Sequence, residues 1–110
     1  MDMAAPGCFG ARARAFVVEL NYVTALSEVD VHLEAHRAFL AGQYANGTFI
    51  ASGPKEPRTG GIILARAESQ EALAATLAQD PFQVHGVAEY RITQFYVRAA
   101  ARGLEQLVGA

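Results

Sequence analysis

The chain has 110 residues and a formal net charge of −2, from 9 lysines and arginines against 11 aspartates and glutamates. This length suits one domain with one core, and the acidic balance argues against a nucleic-acid partner or a polybasic membrane anchor. No apolar stretch approaches the roughly 18 residues of a membrane span, and the single Cys8 cannot form an internal disulfide, so we predict a cytoplasmic protein with no membrane partner.

The first half of the chain predicts a strand, a helix and a strand. Residues 1–14 show no periodicity and are expected to be a flexible extension. Alternating apolar residues predict a strand over 16–23. A helix follows, with Ser27 as its predicted N-cap. Its apolar stripe consists of Val29, Leu33, His36, Leu40 and Tyr44. The helix should end at Asn46-Gly47, before a short strand over 48–52.

The second half repeats this order with a hairpin between the halves. Its predicted elements are a turn-rich connection at 53–60, a strand at 61–66, a helix at 70–79 and a strand at 87–97. Ser69 is the predicted N-cap of this helix. Asp80-Pro81 should end it, because the residue before proline avoids helical backbone. The tail, 98–110, has three apolar residues that could form a short helix, Leu104, Leu107 and Val108.

The resulting order, β-α-β-β-α-β, is typical of the ferredoxin-like fold and predicts the α+β class. The domain should span 15–97, with both helices on one face of an antiparallel sheet of about four strands. The second face is predicted to have no helix over it. It combines polar side chains with apolar ones, at Val17, Val23, Val87 and Phe95. A mixed face of this kind suits a partner chain better than bulk water.

Several short motifs occur in an order that matches one family. They are His36, Ser52-Gly53-Pro54, Gly60-Gly61, Ser69-x-Glu71-Ala72, Asp80-Pro81-Phe82 and Gly86. This ordered set resembles the YciI-like (YCII-related) family over about residues 15–97. The resemblance implies a ferredoxin-like dimeric α/β barrel, in which two sheets face each other across a two-fold axis. We therefore expect a homodimer.

The resemblance also implies a site built around a histidine and an aspartate. The family's histidine falls on His36, its aspartate on Asp80, and the serine before Gly-Pro on Ser52. We predict His36 and Asp80 as catalytic residues that act with no cofactor and no metal. The predicted substrate-binding residues are Ser52, Gly53, Pro54, His32 and Phe82. The implied activity is acid–base chemistry on a small organic molecule, including dehydrohalogenation-type elimination.

Without the resemblance, both central residues have ordinary structural explanations. A histidine in an apolar helical stripe is usually a hydrogen-bonded core residue, although histidine is also suited to acid–base work near neutral pH. Asp80 before Pro81 is a favourable N-cap for a short helical turn. It could instead orient the His36 imidazole, and we expect that the two roles cannot use the same carboxylate oxygen.

Two further pairs of residues leave alternatives open. His32 and His36 are four residues apart and could share a metal ion, but a third ligand would have to come from His85, Glu28 or Asp80. We therefore predict no metal and place His32 at the rim of the pocket. In the hairpin loop, Lys55 and Arg58 could attract an anionic substrate, although such a pair more often belongs to a solvated loop.

Three functions compete on these residues. The first is a small enzyme that uses His36 as a base for elimination, isomerisation or hydrolysis. The second is a non-catalytic dimeric module that binds a small ligand or a protein in the same cleft. The third is a monooxygenase-like or isomerase-like dimeric barrel. A His36–Asp80 pair at hydrogen-bonding distance beside an open pocket would favour the enzyme, and a sealed apolar setting would favour the module.

Overall fold

The computed structural model describes residues 14–108 and has four strands and five helical segments in that range. In chain order they are β1 (Arg14–Tyr22), α1 (Leu26–Val31), α2 (Leu33–Ala45), β2 (Phe49–Pro54), β3 (Gly60–Ala67), α3 (Gln70–Leu77), α4 (Pro81–Val84), β4 (Ala88–Phe95) and a 3₁₀ helix (Glu105–Leu107). The α+β class and the ferredoxin-like order are confirmed. The first predicted helix is divided into α1 and α2, whereas the second corresponds to α3, and α4 is the short helical turn after Asp80.

The four strands form one antiparallel sheet in the order β2-β3-β1-β4. Val18 of the central strand β1 lies opposite Ile63 of β3 on one side and Ile92 of β4 on the other. Alternate residues therefore place a continuous apolar surface on one face. At the end of this ladder, a Cβ on Gly60 would lie 1.8 Å from the Leu20 carbonyl oxygen, so only glycine fits there.

The core lies between this face of the sheet and the helices. Its largest fully buried apolar side chains are Phe16, Phe82, Ile63, Leu73, Leu77, Val18 and Val29. The burial of each of these side chains contributes about 1.5 to 3 kcal/mol to the stability of the folded state. These residues come from two strands, β1 and β3, and three helices, α1, α3 and α4. Further buried or half-buried apolar side chains of α2, β2 and β4 pack in the same cluster, so the core joins the elements that surround the site described below.

The first helical region differs from the prediction at its start and in its middle. Ser27 is not the N-cap, since α1 begins at Leu26 and Ala25, two residues before Ser27, occupies the cap position with no side-chain hydrogen bond. The predicted single helix is also interrupted at His32, whose φ of −106° and ψ of 7° are not helical. The predicted end is confirmed, because Asn46 is the C-cap and Gly47 has a φ of 86°.

The predicted capping in the second half is confirmed. The Ser69 side chain accepts a hydrogen bond from the backbone N–H of Ala72 at 3.0 Å and starts α3. The helix ends at Leu77, and Asp80 then caps the short α4, whose first residue is Pro81. This second cap is what brings Asp80 to the start of a rigid element that packs against α2.

The second face of the sheet is partly covered, which corrects two expectations. Val87 does not lie on it, because this side chain is buried in the main core. At one end of the face, Ala15 is buried together with Val97 and Leu107, so the segment after β4 lies over that end. Of the three apolar residues expected in the tail helix, only Leu107 is buried, while Leu104 and Val108 are exposed.

The predicted extension, 1–14, lies outside the described residues except for Arg14, which is already part of β1. Its side chain donates a hydrogen bond to the Glu68 carbonyl oxygen at 3.0 Å. Within residues 14–108, none of the helices has both the length and the apolar character needed to cross a membrane.

Candidate active site

The site is centred on a histidine and an aspartate that lie 44 residues apart in the sequence. His36 Nδ1 on α2 is 2.7 Å from Asp80 Oδ1 at the start of α4. Asp80 is fully buried and His36 is 9% exposed. The two predicted catalytic residues are therefore in direct contact, in a setting where their interaction is screened little by solvent.

Asp80 accepts two further hydrogen bonds at this position. The backbone N–H of Phe82 donates to Oδ1 at 3.0 Å, and the Tyr90 hydroxyl donates to Oδ2 at 2.5 Å. The expectation that the cap and the contact with His36 cannot share an oxygen is wrong, because Oδ1 takes part in both. A carboxylate oxygen has two lone pairs and can serve two partners at once.

Tyr90 is a site residue that sequence reasoning missed. It lies on β4 and belongs to the alternating set that faces the helices, with Ala88 and Ile92 on either side. That alternation was visible in the sequence, and a hydroxyl on the buried face of a strand needs a partner. What was not visible was that the chain after Asp80 turns back so that β4 passes beside α4.

The contact with Asp80 should make the protein sensitive to alkaline pH. Burial raises the pKa of the Tyr90 phenol, and its hydrogen bond to Asp80 raises this pKa further. The unfolded chain then loses this proton at about pH 10 while the folded protein keeps it. Stability should therefore be intact below that pH and fall as the pH rises above it. A Tyr90→Phe variant should show a shallower fall in Tm between about pH 9 and pH 11.

Absorbance of tyrosinate, followed with Tm over the same pH range, checks this prediction. Tyr96 provides the matched control, because it is 60% exposed and lies away from Asp80. A Tyr96→Phe variant should keep the slope of the wild type. A Tyr90→Phe variant that loses stability as steeply as the wild type would contradict the prediction.

Phe82 sets the plane of the His36 ring. The two rings are stacked with centroids 3.9 Å apart and planes 4° from parallel. Tyr22 contacts Phe82 edge-on, with a centroid distance of 5.9 Å. Because Phe82 also donates its backbone N–H to Asp80, one residue helps to position both the imidazole and the carboxylate.

A cavity of about 400 Å³ opens beside His36, between α2 and the strands β1, β2 and β3. Its lining includes five of the predicted site residues, His36, Ser52, Gly53, Pro54 and Phe82. Ser52 is held in place by a hydrogen bond between its Oγ and the Tyr44 hydroxyl. The structure thus brings the helix histidine and the Ser-Gly-Pro segment of β2 to one cavity.

His32 is not brought into this arrangement. It does not line the cavity, and its ring is stacked on His85 with centroids 3.9 Å apart. In the described part of the chain, a metal ion shared by His32 and His36 would also lack a third protein ligand. Over residues 14–108, no three histidine, cysteine, aspartate or glutamate side chains form a set that could hold a metal ion.

The two hairpin-loop cations both have partners. Lys55 Nζ donates to a Glu19 carboxylate oxygen at 2.6 Å and to the Asn21 side-chain oxygen at 2.6 Å. The hydrogen bond from Lys55 lowers the pKa of Glu19. Arg58 lines the cavity but donates to Asp30 at 2.6 Å, which raises the pKa of its guanidinium. A further cation of the cavity wall, Arg37, was not singled out from the sequence.

Comparisons with known proteins place this fold and site in context. A comparison with curated proteins finds no match. Among solved structures, the chain is similar to 5-chloro-2-hydroxyhydroquinone dehydrochlorinase (TftG) from Burkholderia phenoliruptrix AC1100, in complex with 2,5-dihydroxybenzoquinone. The identity is 19%, the TM-score is 0.65, and the match covers 76% of this chain and 96% of that chain.

A second similar structure is SnoaB, a cofactor-independent oxygenase from Streptomyces nogalater. Its identity is 17% and its TM-score 0.48, with 82% of this chain and 97% of that chain covered. The model of the YCII-related domain matches residues 15–96. This match confirms the resemblance that the ordered motifs predicted, and the chain belongs to the family of YCII-related domains.

Proposed function

We propose that the protein is a small enzyme that needs no cofactor and moves a proton on a small organic molecule, with His36 as its general base. One observation supports this proposal above all others. His36 forms part of a cavity wall while its Nδ1 lies 2.7 Å from the buried carboxylate of Asp80. This is the combination of an open pocket and a hydrogen-bonded pair that favours an enzyme over a sealed binding module.

The hydrogen bonds around Asp80 favour one tautomer of His36. Phe82 and Tyr90 both donate to this carboxylate, which suits an ionised acceptor. His36 Nδ1 then carries the ring proton and donates it to Oδ1, so Nε2 is left with a lone pair. Nε2 is therefore the atom that takes up a proton, and Asp80 stabilises the imidazolium that results.

Elimination is the reaction class that we propose first. Nε2 removes a proton from the substrate, the electron pair of that bond forms a new double bond, and the leaving group departs with its own bonding pair. The reaction named for TftG, a dehydrochlorination, is of this class. Isomerisation would use the same base and return the proton to another carbon, so it needs no further group.

Other predicted site residues have supporting roles in this proposal. Ser52, Gly53 and Pro54 line the cavity, where the Ser52 hydroxyl can bind a polar group of the substrate. Phe82 holds the imidazole in plane. His32 has no place in this proposal, because it contacts His85 and does not line the cavity.

The experiment that tests the proposal is a panel of small halogenated, phenolic and lactone compounds. Each compound is incubated with the wild-type protein and with a His36→Asn variant, and product formation is followed by mass spectrometry, with halide release measured in parallel. Turnover that depends on His36 supports the proposal. A compound that is turned over equally well by both proteins would count against it.

We further propose that two copies associate through the open part of the second sheet face. Val17 and Leu64 are half-buried there, Ile62 and Phe95 are exposed, and Glu19 lies among them. Light scattering in dilute buffer should give about twice the chain mass. A Val17→Glu variant should shift the protein toward the monomer, because it places a charge within this apolar group.

Val31 offers a matched control for this prediction, since it is 71% exposed on the last turn of α1 and away from the sheet. A Val31→Glu variant makes the same chemical change and should keep the mass of the wild type. A wild-type protein that remains monomeric at micromolar concentration would contradict the dimer.

A further inference from the structure

We infer that the substrate of this cavity has a largely apolar body and an anionic group that Arg37 binds. The inference rests on the proposed function for the location of the reacting atoms, but its argument comes from the charges on the cavity wall. Three cationic or basic side chains, His36, Arg37 and Arg58, belong to the lining, and no aspartate or glutamate does among the described residues.

The two arginines of the wall differ in what they already bind. Arg58 donates to Asp30 at 2.6 Å, and its guanidinium lies over the Tyr22 ring, 5.8 Å from the centroid. Its charge is therefore balanced within the protein. Arg37 has no hydrogen bond or ion pair with any residue of the described range 14–108. It is the cation of the wall whose charge is available to a ligand.

The position of Arg37 would place a bound anion near His36, the proposed general base. Arg37 follows His36 directly on α2, and both residues belong to the cavity lining. A guanidinium offers a planar pair of N–H donors, which matches the geometry of a carboxylate or a similar oxyanion. An anion bound there would keep the rest of a small substrate close to the imidazole.

The remaining wall explains the apolar body. Leu20, Leu33, Leu40 and Ile63 line the cavity together with Phe82. A volume of about 400 Å³ falls in the range of sites for a single small molecule. The ligand chemistry that this wall recognises is a ring-sized apolar molecule with one negatively charged oxygen group.

Benzoate and benzamide provide the test, because they have the same shape and differ in charge. Both are titrated into the ¹⁵N-labelled full chain, and affinities are taken from chemical-shift changes at cavity residues. Benzoate should bind about tenfold more tightly, and the preference should shrink as salt is added. An Arg37→Gln variant should lose the preference. An Arg102→Gln variant, which removes the same charge from an exposed residue in the C-terminal segment, should keep it.

Equal affinity for the two compounds, including no binding of either at millimolar concentration, would overturn the inference. So would an unchanged preference in Arg37→Gln. The same titration in a His36→Asn background separates this inference from the proposed function. A benzoate preference that persists there, without turnover of any compound by the wild type, supports the anion site and rejects the enzyme. Turnover of neutral compounds alone, unaffected by Arg37→Gln, supports the enzyme and rejects the anion site.

Discussion

Replacing His36 with asparagine should remove most of the turnover of an identified substrate while the protein remains folded. The asparagine amide can still donate a hydrogen bond toward Asp80, which accepts from His36 Nδ1 at 2.7 Å in the proposed tautomer. It cannot take up a proton at neutral pH, so general-base assistance is lost. That assistance typically contributes about 10² to 10⁴ in rate, and we expect kcat to fall within this range.

Steady-state kinetics and thermal unfolding by circular dichroism check this prediction together. His85→Asn is the matched control, because His85 is exposed and does not line the cavity. It makes the same chemical change and should leave kcat close to that of the wild type. Full activity in His36→Asn, with a Tm like that of the wild type, would show that the imidazole is not the base.

Replacing Asp80 with alanine should have the largest effect on stability. The side chain is fully buried and serves the Phe82 N–H, the Tyr90 hydroxyl and the His36 imidazole. Its removal would leave these three polar groups without the carboxylate that they share, at a position that is itself fully buried. Removing one partner of a buried charged pair typically costs about 3 to 5 kcal/mol. For a domain of this size that lowers the Tm by on the order of 20 °C.

Asp30→Ala is the control for this loss, since Asp30 also accepts a charged hydrogen bond, from Arg58, but its side chain is 50% exposed. Exposed pairs contribute about 0.2 to 1 kcal/mol, so its Tm should change little. Chemical denaturation of the wild type, Asp80→Ala and Asp30→Ala measures the loss of stability in each variant. If Asp80→Ala unfolds at the same denaturant concentration as Asp30→Ala, the buried hydrogen bonds do not stabilise the fold as described.

Asp80→Asn separates the chemical role of this residue from its structural one. The amide oxygen can still cap α4 by accepting from the Phe82 N–H, so most of the stability should remain. The amide carries no charge to stabilise an imidazolium, and its N–H₂ group cannot accept the hydrogen bond that the Tyr90 hydroxyl donates to Asp80. We therefore expect turnover to fall strongly in a protein that is still folded.

These expectations share one physical cause. Asp80 begins α4 and, at the same time, contacts His36 and Tyr90. The cap holds the carboxylate at a rigid helix start, and the cap, the phenol and the imidazole together offset the cost of burying a charge. The same residue therefore contributes to folding and to the proposed chemistry.

The amino-acid sequence by itself determined the local features of this protein. The alternation over β1, the Ser69 and Asp80 caps and the left-handed Gly47 were all predicted, because each depends on a few neighbouring residues. The order of these elements was enough to predict the ferredoxin-like sheet. The ordered motifs were also enough to predict the family and the contact between His36 and Asp80.

Tertiary structure alone decided the features that depend on distant parts of the chain. Tyr90 meets Asp80 because β4 returns beside α4, and Ala15 is buried in a cluster with the distant Val97 and Leu107. Likewise, Asp30 reaches Arg58 across 28 positions and balances its charge, while Arg37 faces the cavity without such a partner in the described range. Hydrogen bonds and charge balance act over a few ångströms in space, whatever the separation in sequence, so a residue's partners follow from the packed fold.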